Sequence, residues 1–138
     1  MNSPLSDFPL AHLAIAVRSL SEGAALYTTI GFTLDEPEVI ASQHVRAQVA
    51  RKGELRIELL EAHPEGTGPI AKFIEKRGAG MHHIALLSTD LEGDLERLND
   101  DGVIPLAGFP AAGMAGTTVA FLDPKTTGGV LIELVQRG

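Results

Sequence analysis

Apolar and polar positions along this chain fall into one pattern that is read twice, first over about residues 10–61 and again over about residues 81–136. The first copy opens with an apolar run from Leu10 to Val17, broken by His12, whose length suits a buried strand. Ser19 with Glu22 three residues on predicts a capped helix start; Leu20, Ala24 and Tyr27 then share one helical face, and Gly31 stops the helix. Beyond the glycine, Phe32 to Ile40, residues 44–50 and residues 54–61 predict strands, the last two joined by a turn at Lys52-Gly53. Pro69 to Arg77, with proline near its first turn and Gly78 after its end, predicts a linker helix within about residues 68–78.

The second copy keeps the order. Met81 to Ser88 predicts a strand, Asp90 stands where Ser19 stood as a cap, and Leu91, Leu95 and Leu98 repeat the helical stripe before Gly102 ends it. Val103 to Leu106, Thr117 to Leu122 and Val130 to Val135 predict the closing strands. Each copy is therefore βαβββ, and the expected fold class is α+β, two tandem βαβββ modules in a single domain covering residues 1–138. At an offset of 71 residues His12 meets His83, Ala14 meets Ala85 and Gly31 meets Gly102. The tripeptide Ile57-Glu58-Leu59 returns as Ile132-Glu133-Leu134 at an offset of 75. The four extra residues are expected in the Gly- and Ala-rich segment Ala107 to Gly116, which reads as a lid or substrate loop.

Composition narrows the setting. A chain of 138 residues, 44% apolar, can bury one real core, while each half alone would be marginal. The halves should pack on each other or on a second subunit. There is no cysteine, which removes disulfides and thiolate ligation and leaves His, Asp and Glu as the strong metal ligands. A net charge of −7, with five Phe, one Tyr and no Trp, argues against nucleic acid as a partner, because there is neither a basic face nor a stacking platform. No basic segment followed by an apolar stretch opens the chain and nothing approaches a membrane-spanning length, so no membrane partner is expected and the expected location is cytoplasmic.

The candidate chemistry follows from strand parity. Leu131, Glu133 and Val135 share a strand face, so Glu133 has apolar neighbours on its own face as well as along the chain. A buried carboxylate without a cationic partner costs several kcal/mol. Duplicated His12 and His83 with duplicated Glu58 and Glu133 make one divalent metal ion the simplest partner, and two carboxylates balance its charge. Nitrogen and oxygen donors without sulfur permit Co, Mn, Ni, Mg or Zn. His44, His63 and His82 have no counterpart in the other copy and are read as structural or solvent-facing, and Asp90 to Asp101 as a solvated helix face. Glu58 also has a bland reading, as an outward strand residue paired with Arg56.

The duplicated His, Glu, His, Glu plan resembles the vicinal oxygen chelate (glyoxalase-like, VOC) superfamily. Within it, Gly80-Met81-His82-His83-Ile84-Ala85, Ile57-Glu58-Leu59-Leu60-Glu61 and the run from Asp123-Pro124-Lys125 to Ile132-Glu133-Leu134 look most like the methylmalonyl-CoA epimerase family. The likeness extends from Leu10 to Gln136. It implies the VOC fold, metal ligation by His12, Glu58, His83 and Glu133 with Co favoured, and an acyl-CoA thioester as substrate. It also implies a homodimer, and interconversion of (2R)- and (2S)-methylmalonyl-CoA by proton transfer at C2 through a metal-stabilised enolate. Glu133 is then both ligand and catalytic proton-transfer group. Lys125, in the turn before the strand that carries Glu133, is expected to meet a phosphate of the substrate. Many members of that family carry a further Glu two residues beyond the Val of a Glu-Gln-Gly-Val segment; here that stretch is Ser42-Gln43-His44-Val45-Arg46-Ala47-Gln48, and Ala47 takes its place. Two alternatives stand beside this reading: a glyoxalase I-type lactoylglutathione lyase acting on a glutathione hemithioacetal, and a metal-free VOC protein that binds a small molecule.

Overall fold

The computed structural model describes residues 5–138. The chain folds as two compact units, one spanning His12–His82 and the other His83–Gly138 together with the chain up to Ala11. Residues 1–4, at the head of the expected domain, lie outside the described residues.

Strand β1 (Leu10–Ala16) leads into helix α1 (Leu20–Thr29), and β2 (Thr33–Leu34), β3 (Glu38–Ile40), β4 (Val45–Lys52), β5 (Leu55–Ala62) and α2 (Gly68–Arg77) follow. β1 runs parallel to β5, β5 antiparallel to β4, and β2 and β3 are both antiparallel to β4. Val17, Leu20, Phe32, Ala50, Ile57 and Leu59 form the core on the face that α1 covers. The linker helix packs back on β5 and buries Ile70. In the second unit β6 (Gly80–Leu87) precedes α3 (Leu91–Asp100), β7 (Ala111–Ala112), β8 (Thr118–Leu122) and β9 (Ile132–Gln136). β6 is parallel to β9, β9 antiparallel to β8, and β8 antiparallel to β7. Leu91, Ala120, Leu122 and Leu134 pack beneath α3, and Ala85, Val119 and Val135 form a second cluster with Leu87 and Phe109.

Both helix caps form as the sequence predicts. Ser19 Oγ accepts from the Glu22 N–H at 3.2 Å, and Asp90 Oδ1 accepts from the Gly93 N–H at 3.2 Å. The two helices then meet their sheets in different ways. A Cβ on Gly23 would lie 3.0 Å from Val17 Cγ1 and 3.2 Å from Leu59 Cδ1, so glycine lets α1 approach closely. At the offset of 71, Val17 and Gly23 correspond to Ser88 and Asp94. Asp94, 3% exposed, accepts from Ser88 Oγ at 2.5 Å, from Ser6 Oγ at 2.7 Å and from the Ser6 N–H at 3.0 Å. An apolar contact in one copy is a polar knot in the other because the segment entering at Ser6 supplies donors there.

Three local expectations change. The strand predicted over Phe32 to Ile40 is two short strands, since Pro37 has no N–H for a ladder and the chain around it leaves the sheet. Val103 to Leu106 contributes a single bridge, between Pro105 and Leu122. The segment Ala107 to Gly116 holds β7 and a turn of 3₁₀ helix at Met114–Gly116, and Phe109 joins the apolar clusters. Nor does that segment hold most of the extra length. Glu58 follows its cross-strand partner Val49 by nine residues, whereas Glu133 follows its partner Phe121 by twelve. Three of the four additional positions therefore lie in the β8–β9 connection, where a 3₁₀ turn at Pro124–Thr126 and the pair Gly128-Gly129 replace a tight hairpin.

Candidate functional site

The same ladder builds a His–Glu pair in each unit. In the parallel pair β1 and β5, Ala14 is the register partner of Glu58. His12, two residues before Ala14, shares the face of Glu58 by alternation. Its Nε2 stands 3.4 Å from Glu58 Oε2, and the two residues are 7% and 8% exposed. In β6 and β9 the register partner of Glu133 is Ala85, and His83 again lies two residues earlier. His83 Nε2 is 3.1 Å from Glu133 Oε1, with the residues 3% and 5% exposed. Equal registers explain why unequal offsets, 71 for His and 75 for Glu, describe one repeated geometry. The outward reading of Glu58 fails, because burial and the His12 contact put it inside.

Each unit thus presents, out of water, an imidazole nitrogen and a carboxylate oxygen side by side. That is the donor chemistry a divalent cation takes in the absence of thiolates. Apolar walls hold the second pair. Phe121, directly across from Glu133 on β8, meets the His83 ring edge-on at 4.9 Å between centroids. Phe109 stacks edge-on against Phe121 at 5.2 Å. Neither phenylalanine is singled out by the sequence pattern. The signal for Phe121 was its place opposite Glu133, which depends on the hairpin length, and Phe109 comes from a segment with no strand pattern.

Lys125 lies where it was expected, in the β8–β9 connection, with an exposed side chain and its N–H bonded to Asp123 Oδ1 at 3.0 Å. That connection is longer by three residues than its counterpart, the β4–β5 turn of the first copy. His44 occupies the left-handed end of a 3₁₀ turn at φ 55°, His63 is exposed, and His82 packs edge-on against Phe73 at 4.9 Å. No helix among the described residues is long and apolar enough to cross a membrane.

Residues 11–121 match the Glyoxalase/Bleomycin resistance protein/Dioxygenase superfamily, and the chain belongs to that superfamily. Its α+β architecture of repeated βαβββ modules, expected from the sequence pattern, is the glyoxalase fold that the family resemblance implied. Among its relatives is the ethylmalonyl-CoA/methylmalonyl-CoA epimerase of Cereibacter sphaeroides, 40% identical over 131 residues, spanning 92% of this chain and 96% of that protein. The crystal structure of methylmalonyl-CoA epimerase from Mycobacterium tuberculosis matches with a TM-score of 0.87 at 32% identity, over 94% of this chain and 87% of that one. A methylmalonyl-CoA epimerase in complex with methylmalonyl-CoA and NH4+ matches with a TM-score of 0.87 at 31% identity, over 96% of both chains. These relatives are racemases and epimerases, a class of isomerase.

Proposed function

We propose that the protein is a metal-dependent epimerase that interconverts (2R)- and (2S)-methylmalonyl-CoA. The observation that carries this reading is the buried His–Glu ladder, repeated in identical register, in a chain similar over nearly its whole length to epimerases. His12, Glu58, His83 and Glu133 would together hold one divalent ion, with Co favoured by the family resemblance among Co, Mn, Ni, Mg and Zn. When bound, such an ion supplies positive charge to the substrate oxygens as enolate charge develops, which a side chain alone offsets poorly at neutral pH.

The chain's own residues do the rest. Glu133 takes or returns the C2 proton on one face of the enolate. Phe121 and Phe109, stacked behind His83, keep that ring in place and water away from it. Lys125, on the connection that is longer in the second copy, meets a phosphate of the coenzyme as a point charge. The working form is proposed to be a homodimer. In heavy water, the C2 hydrogen should exchange with deuterium in step with interconversion of the two epimers. Turnover of the glutathione hemithioacetal of methylglyoxal, with no exchange on methylmalonyl-CoA, would transfer the assignment to a lactoylglutathione lyase.

A further inference from the structure

Inversion at C2 needs a proton to leave one face of a planar enolate and another to arrive on the opposite face, so Glu133 accounts for half of the reaction. The first unit carries a further carboxylate on the sheet face of its own His–Glu pair. Directly paired residues of neighbouring strands share a face. The observed pairs are Val49 with Glu58 and Ala47 with Leu60 between β4 and β5, and Glu38 with Ala47 between β3 and β4. Glu38 therefore lies on the same face as Glu58 and His12. Burial along β3 agrees, since Ile40 is buried, Glu38 half-buried and Val39, on the reverse face, 48% exposed.

Among the described residues, strands β1 to β5 put two carboxylates on this face, Glu58 and Glu38. Glu58 is taken up by His12. The position directly beside Glu38 is Ala47, a small and wholly buried residue.

Resting on the epimerase reading, we propose that Glu38 is the second proton-transfer residue and serves the C2 face that Glu133 does not. In one direction the C2–H bond breaks, its electron pair passes into the enolate and its proton goes to a Glu38 carboxylate oxygen. The enolate then collapses as a new C2–H bond forms with a proton from Glu133 on the other face. The two carboxyl groups return to their starting protonation by exchange with water, and no oxidant or co-reactant is required.

The test is Glu38→Gln, assayed by deuterium incorporation into each epimer separately, with metal content and melting temperature measured alongside. Metal content and melting temperature should match wild type, while interconversion falls by about 10²-fold or more. One epimer should still exchange its C2 hydrogen without inversion, through Glu133, and the other should not. Glu38→Asp, which keeps a carboxylate, should retain more interconversion than Glu38→Gln. Wild-type interconversion in Glu38→Gln, or an equal loss of exchange from both epimers with metal retained, would overturn the assignment of Glu38 and leave the epimerase reading intact. A wild-type protein that neither exchanges nor interconverts would remove both.

Discussion

Glu133→Gln separates a ligand from a packing residue, because the two side chains have nearly the same volume and the change removes charge without opening a cavity. Glu133 is 5% exposed and its carboxylate touches His83 Nε2 at 3.1 Å, contacts that an amide can keep. What the amide loses is the anionic donor a divalent ion requires. An ion at 100 times its dissociation constant stabilises the folded state by about 2.7 kcal/mol. For a chain of this length about 1 kcal/mol moves the melting temperature by roughly 4 °C, so wild type should melt about 10 °C lower after chelation. Glu133→Gln should melt at the same temperature with and without chelator, and elemental analysis should find its metal lost together with epimerase activity. Thermal melts with and without EDTA, followed by readdition of each divalent ion, give the comparison directly. A variant that keeps one ion per chain and the full chelator-dependent shift would refute ligation by Glu133. A wild type indifferent to chelation would refute the metal itself.

Lys125→Ala should raise the KM for the CoA thioester with little change in kcat, and the difference should shrink as salt rises; an unchanged KM at low ionic strength would make Lys125 a solvated turn residue. His12→Ala, by removing a ligand from the first unit, should abolish the chelator-dependent melting shift as fully as Glu133→Gln does, and a retained shift would confine the ion to the second unit. Asp94→Ala leaves the Ser6 and Ser88 donors without their acceptor and should cost about 3 kcal/mol in urea denaturation, with early proteolysis around Ser6 as the local signature. A loss below about 0.5 kcal/mol would show that the knot is solvated.

Much of this is legible in the sequence. The helix stripes, both caps and the strands that carry His12, Glu58, His83 and Glu133 follow from periodicity and capping chemistry, which act over a few residues. Hidden from the pattern were the features set by pairing across strands. Pro37 divides one predicted strand into two, and it is the second piece that brings Glu38 beside Ala47. The polar knot at Asp94 joins residues 88 positions apart in the chain, and no local signal announces it. Phe121 becomes a neighbour of His83 through the register of β8 on β9, which rests on the length of their connection. The offset of 75 was visible, but where the extra residues sat was a question of register.

That longer β8–β9 connection separates two things that proteins often have to change together. The added residues stand outside the ladder, so the chain between Asp123 and Leu131 can lengthen, shorten or exchange its charges while Ala85 still faces Glu133. If Lys125 meets the coenzyme as proposed, drift in that stretch is a route to new acyl-CoA preferences at constant chemistry, and directed evolution of specificity should find more tolerated diversity there than in the matching turn at Lys52-Gly53. A deep mutational scan that selects for growth on different thioesters would show it as a band of permissive positions bounded sharply by Leu122 and Ile132.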